Sequence, residues 1–263
     1  MCELFGISSE YKVEINTYLN EFFSHGQYHP NGWGLAIFHS DSVNLEKEPV
    51  CSNQSSYLKE RLKSDIYVKD AIAHIRLATR GVEKYENTHP FIKSDETKRI
   101  WTLAHNGTIF DNVLLDSYCD IQQGQTDSER ILCFIVERMK DFDEKERFDC
   151  LDDIVCMLSN HNKLNLLIYD GSILYVHTNY KHSLYKLQKE KTVIFSTQPL
   201  DSDDWKEVDL CQLFAYKDGK MIYKGTVHNQ EYVDNEKDMK YLFMDWAYLK
   251  TIDDILIKYF EYD

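Results

Sequence analysis

The order in which hydrophobic periodicity changes along this chain restricts its fold more than any single motif does. Period-two alternation marks strands at 3–8, 34–38, 43–50, 70–81 and 100–109. Two helical stripes follow, at 126–139 and 144–159, and strand patterns return at 164–170, 172–178, 183–187 and 192–197. Val13, Ile15, Tyr18, Leu19 and Phe22 predict a helix over 13–24, a shorter one fits 55–63, and 237–260 reads as one or two amphipathic helices. Asp170-Gly171 and Asp218-Gly219 are hairpin turns, the second joining QLFAYK to KMIYKGTV. Strands, helices, strands and a final helix give an α+β layered protein with mostly antiparallel sheets. No repeat or Pro/Ser-rich linker divides the 263 residues, so 1–263 is expected to be one domain.

Composition narrows the classes of function. Asp plus Glu outnumber Lys plus Arg by 44 to 30, a formal charge of −14, which argues against nucleic acid and anionic membrane surfaces as partners. No apolar run reaches membrane-span length and the N-terminus lacks a signal-peptide pattern, so the expected compartment is the cytoplasm. The seven cysteines form no C-x-x-C pair and no zinc-like spacing, as suits reduced thiols. His25 and His29 stand four apart, but Pro30 and nearby glycines break any helix and no acidic partner accompanies them, so no metal is expected.

Five places are candidates for chemistry. Removal of Met1, which a small second residue permits, would leave Cys2 with a thiol and an α-amine, pairing nucleophile and base in one residue. The free thiol titrates at about 8.5 and the amine at about 7.7–8.0, so the amine can take the thiol proton near neutrality. In DAIAHIRLATRG, alternation puts Ile72, His74 and Arg76 on one face and Ala71, Ala73, Ile75 and Leu77 on the other. An arginine inside such a strand needs either a structural carboxylate or an anionic ligand. Asn106-Gly107 is either a hairpin turn or, through its amide and backbone N–H, an oxyanion hole. Thr126 and Glu129 form a capping box, with Asp127 in the first helical turn. Trp33, between Gly32 and Gly34, is either a packed aromatic or part of a loop lining a pocket.

Together these residues resemble the class II glutamine amidotransferases, which are N-terminal-nucleophile hydrolases. The resemblance rests on MCELFGI at 1–7, NGWGLAIF at 31–38, AHIRLATRG at 73–81, NTHPF at 87–91, AHNGTI at 104–109 and TDSE at 126–129. NGWG and NTHPF are most similar to the compact, stand-alone branch that includes γ-glutamyl hydrolases. The resemblance implies a four-layer αββα sandwich with the catalytic cysteine at the end of a central strand, and no cofactor. It further implies that Cys2 attacks the glutamine amide while Asn106 and Gly107 hold the oxyanion. Arg76, assisted by Thr79, would bind the substrate α-carboxylate and Asp127 its α-ammonium. Arg80 stands where better-known members often carry histidine. His74, His105 and Trp33 are expected to support the site from behind.

The expected activity is hydrolysis of glutamine to glutamate and ammonia through a γ-glutamyl thioester on Cys2. The alternative keeps the mechanism and cleaves a γ-glutamyl peptide or amide; a lesser one is a non-catalytic module that senses glutamine or binds a partner. No residues remain for a fused synthase, so a separate ammonia-accepting synthase subunit, or none, is expected, and a homodimer is the expected self-assembly.

Overall fold

The computed structural model describes residues 2–40, 42–79, 81–110, 113–238 and 240 of the chain. Met1, Arg80 and nearly all of the tail expected to be helical lie outside the described residues. The first block supplies β1 (Glu3–Glu14), α1 (Asn16–Ser24), β2 (Trp33–Phe38), β3 (Val43–Glu48), α2 (Ser56–Arg61), β4 (Tyr67–Ile75), β5 (Phe91–Ser94) and β6 (Ile100–Thr108). The helices α3 (Asp127–Arg138) and α4 (Glu144–Leu158) follow. The last block supplies β7 (Lys163–Tyr169), β8 (Leu174–His177), β9 (Tyr185–Lys189), β10 (Thr192–Ser196), β11 (Lys206–Glu207), β12 (Phe214–Lys217) and β13 (Lys220–Lys224).

These strands form two sheets, ordered β11-β9-β10-β1-β4-β2-β3 and β13-β12-β8-β7-β6-β5, and every pairing is antiparallel. Alternation sorts their side chains into three cores. Phe5, Ile7, Leu35, Ala73 and Ile75 face outward beneath α1 and α2, packing with Leu19, Phe22 and Leu58. Leu103, Leu166 and Ile168 face outward beneath α3 and α4, packing with Ile131, Ile135, Leu151 and Ile154. Between the sheets lie Leu4, Ala36, Ile72, Ala104, Leu167 and Phe195. The result is a four-layer αββα sandwich.

Several boundaries differ from the sequence reading for definable reasons. β1 continues past residue 8, because after a bulge Val13 and Glu14 still pair with Val68 and Tyr67; the helix expected from 13 therefore starts at Asn16. Asn106-Gly107 makes no turn: it sits inside β6, opposite Asn165 and Leu164, and neither residue has the positive φ a type I′ turn requires. β4 ends at Ile75, so Leu77 leaves the outer face on which alternation had put it. Thr126 caps α3 as expected, accepting from the Glu129 N–H at 3.2 Å, but the Glu129 carboxylate turns to the N–H groups of Gln123 and Gly124 instead of closing the box. The full capping box belongs to α4, between Asp143 and Glu146.

Two glycines permit the close approaches that bring the layers together. A side chain at Gly6 would meet the Leu167 Cδ1 across the sheets at 2.9 Å. At Gly34 a Cβ would fall 2.2 Å from the His89 carbonyl oxygen, where the NTHPF segment crosses β2. Gly34→Ala must displace backbone, which no rotamer change can relieve. It is expected to lower unfolding free energy by about 1–3 kcal/mol, measured by urea denaturation, because overpacking costs that much in a well-filled interior; an unchanged midpoint would refute this account of the crossing.

Candidate active site

The three-layer sorting decides where the sequence-selected residues point. Leu4 faces the inter-sheet core, so Cys2, two positions earlier on the same face, points into the mouth between the sheets. On the opposing sheet Ala104 faces inward, and Asn106 shares its side of β6. Nucleophile candidate and carboxamide thus approach from different sheets and line one cavity of about 170 Å³, together with Leu77, Thr79, Gly107, Thr108, Phe110, Lys163, Tyr232 and Asp234.

The Cys2 thiol is held by a single backbone unit. Its sulfur lies 3.4 Å from both the N–H and the carbonyl oxygen of Leu77, where β4 has given way to a loop. Burial pushes the thiol pKa up, the charge of the chain's N-terminus, the Leu77 N–H and the Arg76 charge pull it down, and Asp127 adds a small push upward. Raising wins, so the chain that retains Met1 holds Cys2 as thiol near neutral pH. Asn106 is 1% exposed, and neither its Oδ1 nor its Nδ2 has a hydrogen-bond partner. Leaving such atoms unmet costs about 1–3 kcal/mol, an expense most buried polar groups avoid. Gly107 is required by proximity: a Cβ there would fall 2.0 Å from the Lys163 carbonyl oxygen and 2.5 Å from His105 Nε2.

Arg76 and Asp127 are buried at 2% and 6% exposure, and both act electrostatically on Cys2 and on each other. Neither lines the small cavity itself. The Arg76 guanidinium donates to the carbonyls of Gly81 at 2.7 Å and Val82 at 3.2 Å, the loop that also brings Thr79 to the cavity wall. Burial lowers its pKa, opposed by the charges of Cys2, Glu83 and Asp127. Asp127 accepts from the N–H of Ile109 at 2.8 Å and of Ser128 at 2.9 Å, fixed by the first turn of α3 against the end of β6.

The supporting residues separate. His105 faces the helical layer, within hydrogen-bond distance of Ser128 Oγ at 3.0 Å and the Lys163 carbonyl at 3.2 Å, tying β6 to the start of α3. His74 lies inside, its Nε2 3.3 Å from the His105 carbonyl and its ring centroid 4.1 Å from that of His89. Burial holds all three histidines below the usual imidazole range, so they are neutral and poor proton carriers at pH 7. Trp33, expected behind the site, instead sits in the outer core, donating to Glu48 at 3.0 Å and stacking on Tyr57. The pair His25 and His29 does meet an acid, Glu3, at 2.9 and 3.8 Å, correcting the reading that none accompanies them. Even so, no group of three or more His, Cys, Asp or Glu among the described residues is arranged to hold a metal ion.

Sequence reasoning missed several neighbours. Asn165 is fully buried opposite Asn106, its Oδ1 held by Thr178 and its Nδ2 without a partner. A polar residue inside LNLLIY, on the face shared with Leu167, was the available signal. Lys163, Tyr232 and Asp234 carried none, because a strand-end lysine and a polar coil look alike whether or not they reach a cavity.

A thiol and an orphaned buried amide thus line one cavity between the two sheets, with a buried cation and a buried acid near enough to act on the thiol electrostatically. The family model for class II glutamine amidotransferases matches residues 1–189. The chain belongs to this family. It is 34% identical over 261 residues to the uncharacterized protein MJ1515 of Methanocaldococcus jannaschii, covering 86% of this chain and 72% of that one. Its fold is similar to that of a glutamine phosphoribosylpyrophosphate amidotransferase from Bacillus subtilis, with a TM-score of 0.67, 18% identity, and coverage of 87% of this chain but 50% of that one. A class II domain protein from Silicibacter pomeroyi gives a TM-score of 0.59 at 16% identity and is covered along its whole length, against 87% of this chain. This chain thus spans about half of the B. subtilis structure. No helix among its described residues is long and apolar enough to cross a membrane.

The direction of the Cys2 shift has a measurable consequence. With Met1 retained, iodoacetamide alkylation of Cys2 is expected to keep accelerating above the pH of about 8.5 at which an ordinary cysteine is half ionised. In chain that begins at Cys2 the curve should move to lower pH. Peptide mass spectrometry against pH reads both curves, and coincidence of the first with that of exposed Cys119 would contradict the burial argument.

Proposed function

We propose that this chain is a glutamine amidohydrolase that forms a γ-glutamyl thioester on Cys2, releasing ammonia and then glutamate. The observation that carries the reading is the buried Asn106 carboxamide, whose two polar atoms lack partners in the cavity wall it shares with Cys2. In the proposed cycle, removal of Met1 exposes the Cys2 amine, which takes the thiol proton. The thiolate adds to the γ-amide carbon. The developing oxyanion is met by Asn106 Nδ2–H and the Gly107 N–H, the place where a preorganised donor contributes most. The amine returns the proton to the departing nitrogen, the C–N bond breaks, and water then cleaves the thioester.

Arg76 is assigned to the substrate α-carboxylate, with Thr79 beside it, and Asp127 to the α-ammonium. Support comes from their burial and mutual charge interaction beside Cys2, since a cation and an acid together suit a zwitterionic head group. Glutamine, the smallest γ-glutamyl amide, is the minimal substrate of this scheme. Its ammonia would pass to a separate synthase subunit or to water. Cleavage of larger γ-glutamyl amides is the second reading, favoured by the charged side chains Lys163 and Asp234 that line the cavity.

Purified protein is expected to turn over glutamine and to be labelled covalently at Cys2 by a diazo-ketone glutamine analogue. Cys2→Ala should abolish both while leaving thermal unfolding nearly unchanged. Absence of labelling would return the chain to the reading of a non-catalytic sensor or partner-binding module. Asn106→Ala should lower kcat by about 100- to 1,000-fold with little change in KM, the penalty for one lost oxyanion donor. A loss confined to KM would instead place Asn106 in ground-state binding.

A further inference from the structure

The cavity is also lined by a charged pair, Lys163 and Asp234, and the reaction as proposed makes no use of it. The Lys163 side chain is 6% exposed, with Nζ 3.2 Å from the centre of the Tyr180 ring and 4.0 Å from Asp234 Oδ1. Asp234 is half exposed and accepts from the Tyr180 hydroxyl. Burial pushes the Lys163 pKa down to about 8, with Asp234 opposing. A cation brought this far out of water carries a desolvation cost even in a chain of net charge −14.

The second member of the pair comes from a strap that follows β13. The strap is tied down through the His228 N–H to the Cys211 carbonyl, the Tyr232 N–H to the Asn179 carbonyl, and the Asn179 amide to the Gln230 carbonyl. It delivers Tyr232, stacked on Phe110 at 5.7 Å and 7°, and Asp234 to the wall. Both lie beyond residues 1–189, the part that the family model matches. Phe110 and Tyr232 also line a second cavity, of about 880 Å³. That volume falls within the range of small-molecule sites.

We infer that Lys163, with Asp234 as its resting counter-ion, forms a subsite for a carboxylate on the amine side of a γ-glutamyl amide, so that γ-glutamyl amino acids are the preferred substrates. The inference rests on the amidohydrolase reading and refines its substrate. Arg76 and Asp127, assigned to the glutamyl head, do not line this cavity, whereas Lys163 does. An anion reaching Lys163 therefore belongs to the part that leaves. The amine side would run past the Phe110–Tyr232 pair toward the larger cavity. Lys163 moves no proton in this scheme: the Cys2 thiolate forms the thioester, the amide C–N bond breaks, the Cys2 ammonium protonates the departing nitrogen, and Lys163 holds the carboxylate of the released amino acid.

γ-Glutamylglycine and γ-glutamylethylamide differ chiefly in that carboxylate, so their ratio of kcat/KM isolates the subsite. Wild-type chain is expected to favour γ-glutamylglycine by about tenfold or more, the usual scale of one charge-assisted bond. Lys163→Met should bring the ratio to about one, and Asp234→Asn, which removes the competing carboxylate at a half-exposed position, should raise it. A ratio left unmoved by both substitutions, or a wild-type ratio near one, overturns the subsite. If Lys163→Met fails to fold, the direction of the Asp234→Asn change decides alone. Failure to turn over either amide, with Cys2 unlabelled by the diazo-ketone analogue, overturns the amidohydrolase reading and the subsite with it. Turnover with an unmoved ratio overturns the subsite only.

Discussion

The close face-to-face packing of two antiparallel sheets is the constraint on which everything else depends. Cys2 and Asn106 are about a hundred residues apart in sequence, and they meet because β1 and β6 each turn their even-numbered positions inward. Register is the sensitive variable, since a one-residue slip in β1 would send Cys2 to the α1 side and bring Phe5 between the sheets. Pairing on both flanks prevents it: β1 is held by β10 and β4, with Phe5 opposite Ser196 and Ala73, and Gly6 permits Leu167 to approach. The nucleophile's position is thus set by backbone ladders and packing, and its loop neighbours add little beyond the Leu77 peptide.

Burial then decides the protonation of the groups that the sheets bring together. Desolvation disfavours whichever form is charged, so it raises the Cys2 thiol and lowers His74, His89 and His105. A base for the thiol is therefore not to be sought among these histidines, although three of them surround the region. This is what gives the α-amine its place in the proposed mechanism: an amine at the chain end is the group that can be both adjacent to the sulfur and protonated by it. His105 has a different task that burial suits well. As a neutral ring it bridges β6, β7 and the start of α3, and so fixes the spacing between Asn106 and Asp127.

How much of this could be read beforehand depended on whether a residue's role was local. Strand and helix order, the inward face of β4 with Ile72 and His74, and the Thr126 cap all follow from periodicity and short-range chemistry, and they hold in the structure, whereas Arg76 lies just past the end of β4. Asn106-Gly107 was ambiguous because the same dipeptide suits a turn and a strand end; the partner strand that decides it, β7, lies far along the chain, beyond both helices. Trp33 misled because flanking glycines suggest a loop, yet Gly34 is small to let the His89 carbonyl pass, leaving Trp33 to point outward. Asn165, Lys163 and the strap residues acquire meaning only through tertiary contact.

The division of labour between the two parts of the cavity wall bears on how such a fold changes substrate. Thiol, carboxamide and glycine sit in or beside paired strands, where a small displacement would be resisted by the ladders on both sides. Tyr232 and Asp234 sit on a coil held by a few backbone hydrogen bonds, which can be lengthened or re-aimed without disturbing either sheet. In the proposed scheme, chemistry that must stay fixed falls to the matched region at 1–189, and recognition that can vary falls to the strap beyond β13. Lys163 stands at the junction: its backbone carbonyl supports His105 and crowds Gly107, while its side chain faces the strap. Replacing the side chain alone leaves the backbone contacts in place, which is why selectivity at this wall is separable from the thiol chemistry proposed for Cys2.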